Sequence, residues 1–218
     1  MRLWVGQFGI AGGEAREETP WVGAYPDAGR DEIPSDLYLV VEPALPGSEE
    51  FCADIKQAIG DAFHETKASL TGGLLRALRA AHENLRIWNR KSIKEHRVAA
   101  GVSCLAVRGD EAYLAQVGPA AAALWRRGGL RRVAPALPDA IEPLGLLEEF
   151  WPDFSRHELT PGDRLLLLSP ALAGSLADPE MAAALSQPAE EALPALYRHA
   201  RSLPACAALL VAAERNGP

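Results

Sequence analysis

The hydrophobic pattern changes period several times along the chain, and each change predicts a change of element. Leu3 to Phe8 and Trp21 to Tyr25 have the aromatic and β-branched character of short strands, with a glycine- and glutamate-rich turn, Gly12 to Glu18, between them. Asp36 to Glu42, DLYLVVE, predicts a stronger strand. The spacing then lengthens: Phe51, Ile55, Ile59 and Phe63 recur every four residues and fall on one helical face. Leu74, Leu78, Ala81, Leu85 and Trp88 predict a second helix, with Thr71 as its N-cap.

Strand patterning returns after Arg97. Val98 to Val107, a turn at Arg108-Gly109-Asp110, Ala112 to Val117, Ala121 to Trp125, Gly128-Gly129 and Leu130 to Val133 predict a meander of hairpins. Phe154 to Leu159 and Arg164 to Leu168 predict a further strand pair, joined through the Pro-Gly-Asp turn at Pro161 to Asp163. Ala182 to Leu185 and Glu190 to Arg201 read as helices, and Cys206 to Ala213 as a last apolar strand. Blocks of strands alternating with blocks of helices predict an α+β fold, antiparallel sheets with helices packed outside.

Length changes the picture little: 218 residues, 48% of them hydrophobic, suit one domain spanning residues 1–218. Charge excludes more. A net charge of −7 argues against nucleic acid as the main partner, because polyanion binding needs clustered Lys and Arg. Cys52, Cys104 and Cys206 are odd in number and never in a C-x-x-C pair, so neither a disulfide frame nor a thiolate zinc site is indicated, and a reducing cytoplasm fits. No apolar run approaches a membrane span, which predicts a cytoplasmic protein without a membrane partner.

Six segments, taken in order, resemble the stations of the type 2C metal-dependent (PPM) Ser/Thr protein phosphatases. YPDA at Tyr25 to Ala28 sits where the family has Asn-Glu-Asp-Ala, and LVVEP at Leu39 to Pro43 where it has Val-Val-Ala-Asp-Gly. AAGVS, Ala99 to Ser103, stands for the Gly-Thr-Thr strand, and QVGPA, Gln116 to Ala120, for the strand ending in Gly-Asp-Ser. GDRLLLLSPAL, Gly162 to Leu172, resembles the Ser-Asp-Gly strand, and LPACAALLVAA, Leu203 to Ala213, the Asp-Asn strand. The hairpin LWRRGGLRRV, Leu124 to Val133, falls in its family place between them. The resemblance implies two antiparallel sheets packed face to face with helices on both outer faces.

It also implies a chemistry that this chain is poorly equipped to run. In the family, aspartates hold two Mg²⁺ or Mn²⁺ ions whose bridging water attacks a phosphate ester; hard dications prefer oxygen ligands, and two of them close together need several negative charges. Here Asp27 and Glu42 are the metal-ligand candidates, while Pro119, Pro170, and Ala205 or Cys206 stand where acids are expected. No catalytic residue is assigned and no cofactor is expected; a residual site would take Mn or Mg.

The expected function is therefore a catalytically inactive phosphatase-like domain, a pseudophosphatase, that regulates by binding a protein: a kinase, a phosphatase or a phosphoprotein. Arg126, Arg127, Arg131 and Arg132, flanking Gly128-Gly129, are the candidate binding residues for an acidic partner or phosphopeptide. One alternative is a weak phosphatase with a site rebuilt on Asp27, Glu42 and acids such as Asp163 or Asp139. Another is a pocket for a small anionic or phosphorylated ligand. Arg86, Arg90, Lys91 and Lys94 read as cations suited to a helix C-terminus. His64 beside Glu65 and His157 beside Glu158 read as surface polar residues, and Cys104 as a buried small hydrophobe. No nucleophile elbow, P-loop or dinucleotide motif is present.

Overall fold

The computed structural model describes residues 1–16, 19–27, 34–65, 69–133 and 142–215. Among these, eleven strands and five α-helices appear in the order β1(Arg2–Ala11), β2(Glu14–Arg16), β3(Val22–Tyr25), β4(Ser35–Pro43), α1(Cys52–His64), α2(Leu70–Lys91), β5(Ala100–Arg108), β6(Glu111–Val117), β7(Ala121–Arg126), β8(Gly129–Val133), β9(Asp153–Glu158), β10(Arg164–Leu168), α3(Pro170–Ser175), α4(Asp178–Ser186), α5(Ala189–Ala200) and β11(Ala205–Glu214).

The strands form two antiparallel sheets, a six-stranded one ordered β2-β1-β11-β10-β7-β8 and a five-stranded one ordered β3-β4-β5-β6-β9. Period-two alternation divides the long strands between two cores. In β10 and β11, Leu165, Leu167, Ala207, Leu209 and Val211 join the core between the sheets, while Leu166, Leu168, Cys206, Ala208 and Leu210 join the core under α3 to α5. Fully burying one such Leu contributes roughly 2 kcal/mol, so these four-leucine and alanine-leucine runs stabilise both layers at once. Helices α1 and α2 cover the outer face of the five-stranded sheet through Ile55, Ile59, Leu74 and Leu78, all buried.

Local expectations are adjusted in four places. Ser69, not Thr71, caps α2: its Oγ accepts from the Gly72 N–H at 3.2 Å. The glycine-glutamate stretch is a hairpin with its own short strand, β2, paired to β1. The predicted meander is broken, because β6 belongs to one sheet and β7 to the other. Likewise β9 pairs with β6, and β10 with β7 and β11, rather than with each other. No helix among the described residues is long and apolar enough to cross a membrane.

Candidate functional site

Among the described residues, Glu42 is the one candidate acid that lies within a strand. It lies near the end of β4, opposite Gly101 of β5, and burial pushes its carboxyl up to about 7. Among the described residues no cation is placed to offset that burial. Pro119, in the turn after β6, lies so close over Gly101 that any Cβ there would meet the Pro119 carbonyl. The turn needs Gly118 in a left-handed conformation at φ 63°.

At the matching end of the other sheet, β10 runs into Ser169, which is buried. Its Oγ accepts from the Ala207 N–H at 3.3 Å and its N–H donates to the Ala207 carbonyl at 2.9 Å, which ties the end of β10 to β11. Pro170 follows as the first residue of α3. Along β11, Cys206 faces the helices beside Ile10, and Ala205, exposed at the strand end, alternates to the inner face with Ala207.

Asp27 is elsewhere. Strand β3 runs antiparallel to β4 with Tyr25 opposite Leu37, which carries Asp27 to the start of β4. There its Oδ2 accepts from the Ser35 N–H at 3.1 Å, and its N–H donates to the Asp36 carboxylate at 3.0 Å. Six residues of extended chain between Asp36 and Glu42 span about 20 Å, so Asp27 and Glu42 do not meet on one metal. The residues that the register brings toward Glu42 are Thr19 and Pro20, just before β3, where the Val41 N–H donates to the Trp21 carbonyl at 2.7 Å. Glu17 and Glu18 precede them in sequence, and these, like Asp139, lie outside the described residues. Among the described residues no group of three or more His, Cys, Asp or Glu is placed to hold a metal ion.

The four arginines are divided rather than gathered. The hairpin between β7 and β8 turns through Arg127 and Gly128 at φ 51° and 78°, the mirror-image two-residue turn that suits twisted strands. Arg126 is committed to Asp163, with Nε and Nη2 at 3.0 and 2.7 Å from its two carboxylate oxygens. Asp163 is buried and also accepts from the Thr160 N–H and hydroxyl. Burial works to raise its pKa, but Arg126 and Thr160 outweigh it and hold the carboxyl below its ordinary range. That acid fixes the Pro-Gly-Asp turn. Arg132 is on the opposite face of β8, paired to Asp178 at 2.6 Å and donating to the carbonyls of Ala173 and Leu176. Arg127 and Arg131 remain exposed.

His157 is buried rather than superficial. It lies 2.9 Å from the Ser155 hydroxyl, and burial, then Arg131 and Arg126, depress its pKa. Glu158 alternates away from it and is exposed. Cys104 is fully buried, and burial raises its thiol pKa, as expected of a core residue.

Two layered antiparallel sheets between helical layers are the architecture of the PPM-type serine/threonine phosphatases, and comparison with solved structures shows that fold directly. Stp1 from Staphylococcus aureus superposes with a TM-score of 0.78 at 13% identity, over 99% of this chain and 96% of that one. PppA, a key regulatory component of the T6SS in Pseudomonas aeruginosa, gives 0.75 at 19%, over 98% of both chains. The catalytic domain of the phosphatase PstP, in complex with two manganese ions, gives 0.74 at 16%, over 98% and 99%. No family model and no curated protein matches the sequence. What is shared is the fold.

Proposed function

We propose that this chain is a catalytically inactive phosphatase-like module that acts by binding another protein, its partner a kinase, a phosphatase or a phosphoprotein. The observation that carries the reading is the isolation of Glu42. Its carboxyl has no hydrogen bond or ion pair among the described residues, and Pro119, Ser169, Pro170 and Ala205 occupy the neighbouring stations. Two dications sharing a water need several anionic ligands, and one carboxyl with a raised pKa does not offset their repulsion. Asp163 cannot be recruited, because it is buried beneath Arg126. The regulatory role stated for PppA supports the second half of the reading by analogy of fold alone.

The test is titration calorimetry of Mn²⁺ into chelator-stripped protein, with a phosphopeptide hydrolysis assay on the same sample. The expected result is neither two-site binding nor turnover. Mn²⁺-dependent turnover that disappears in Glu42→Gln would overturn the reading.

A further inference from the structure

The end of α2 and the segment after it carry a second concentration of positive charge, apart from the β7–β8 hairpin. Between residues 86 and 97 stand five cations, Arg86, Arg90, Lys91, Lys94 and Arg97, against the single carboxylate Glu95, in a chain whose net charge is −7. Arg86 pairs with Glu83 and Glu148 at 3.0 and 3.7 Å; the other four make no ion pair among the described residues. The helix dipole accounts for Arg90 and Lys91 in its last turn. It does not account for Lys94 and Arg97, which lie beyond the helix.

Large apolar side chains are exposed among these cations: Ile87 and Trp88 at 49%, Ile93 at 63% and, from the facing loop, Leu147 at 48%. A recess flanks the helix end on each side. One, of about 230 Å³, lies between α1 and α2; Phe51, Ile55, Leu85 and Trp88 form its apolar wall, with Asp54 and Asn84 also lining it. Trp88 is fixed there, edge-on to Phe51 at 4.9 Å. The other, of about 250 Å³, lies among Arg86, Arg90, Arg97 and Leu147, with the single acid Glu148, paired to Arg86, in its wall.

Asn89, buried between the two, makes the second recess rigid. Its Nδ2 donates to the carbonyls of Val98 and Gly145 at 2.7 and 2.9 Å, and its Oδ1 accepts from the Val98 N–H at 2.8 Å. Both segments of the cleft wall are thereby tied to the helix before any ligand arrives, which lowers the ordering cost of binding.

We infer that this surface docks an acidic amphipathic peptide segment of a partner protein. Its carboxylates lie against Arg90, Lys94 and Arg97, and apolar side chains fill the recess beside Trp88. Charge complementarity selects the acidic partner. The paired recesses select side chains over a flat anionic bilayer, since each concavity accepts one projecting group. The inference deepens the protein-binding reading and rests on it for its biological use. It fails separately, because Mn²⁺-dependent turnover would remove the inactivity and leave this surface intact.

The experiment is selection of a phage-displayed random peptide library on the immobilised full chain, followed by fluorescence anisotropy of the enriched peptides. The expected peptides combine Asp or Glu with Leu, Ile, Phe or Trp, and bind more weakly as salt rises. Arg90→Glu/Arg97→Glu and, separately, Trp88→Ala are each expected to weaken binding about tenfold or more. The charge-reversal variant, altered only at exposed positions, is expected to lose no more than a few degrees of melting temperature, from the helix dipole at Arg90. The inference is overturned by the absence of enrichment, by peptides without acids, or by equal affinity for wild type and both variants. Cosedimentation of the chain with phosphatidylserine vesicles in the absence of any enriched peptide overturns it in favour of a membrane surface.

Discussion

Replacing Glu42 with Gln isolates the electrostatic consequence of placing one acid among apolar neighbours. Burial lifts the carboxyl from 4.5 to about 7, which corresponds to about 3 kcal/mol between its two protonation states, an upper value because the side chain retains some contact with solvent. The sign follows from proton uptake: between these values the folded chain holds the proton more tightly than the unfolded chain. Stability from this group is therefore fully present below pH 4.5 and is lost as pH rises through 7. Glutamine keeps the shape and cannot ionise. Urea unfolding of both proteins followed by tryptophan fluorescence, at intervals from pH 4.5 to 8, gives the difference in stability free of every other titrating group. Glu42→Gln should gain about 2–3 kcal/mol on wild type between the two ends of that range. A difference constant across the range would refute the burial argument. The same samples bear on metal: Mn²⁺ that binds through Glu42 would stabilise wild type at pH 8 and leave Glu42→Gln unchanged.

Asp163→Ala should cost about 3 kcal/mol in urea unfolding, because it strands the Arg126 guanidinium and two Thr160 donors around a buried position. A double-mutant cycle with Arg126→Ala should show that much of this cost is shared. Arg127→Asn should stabilise by about 0.5–1 kcal/mol, since asparagine adopts the left-handed turn conformation more readily than arginine; calorimetric melting checks it. Asn89→Leu should cost about 3 kcal/mol by leaving the Val98 N–H and two carbonyls unpaired. Hydrogen exchange should quicken first at Val98, whose N–H loses its acceptor.

Much of the fold is legible in the sequence because its signals are local. Ile55, Ile59 and Phe63 recur at helical spacing and do bury one face of α1; the leucines of β10 are apolar on both sides because both sides are covered. Trp88 continues the helical spacing of Ala81 and Leu85, which are buried, yet it lies near the end of α2 and is half exposed. Sheet membership is less legible. Gly118-Pro119 reads as an ordinary hairpin turn but passes the chain from one sheet to the other, a choice made by distant partners: β9 for β6, β10 for β7. The short helix α3 is hidden for a similar reason, since Pro170 looks like a strand terminator and is equally a first helical residue.

The sequence already contains the rule that separates Asp27 from Glu42. Two consecutive antiparallel strands bring the start of the first to the end of the second. With Trp21 to Tyr25 and Asp36 to Glu42 as the pair, the neighbour of Glu42 must come from before Trp21, not from the turn after Tyr25 where the Asp of YPDA attracts attention. The same geometry explains how the frame stands without its acids. Glu42, Pro119, Ser169 and Ala205 lie at or beside strand ends, while the apolar residues that stabilise the layers occupy the strand middles, as Leu39, Leu105, Leu114, Leu167 and Leu209 do, all buried. Neutral residues at these strand ends remove the mutual repulsion that clustered carboxylates impose in the absence of metal, and Pro119 against Gly101 and Ser169 against Ala207 close the packing there. Because the stability of the fold lies in its strand middles, residues at the strand ends are free to vary, and under the proposed binding role a partner is met on the outer surfaces.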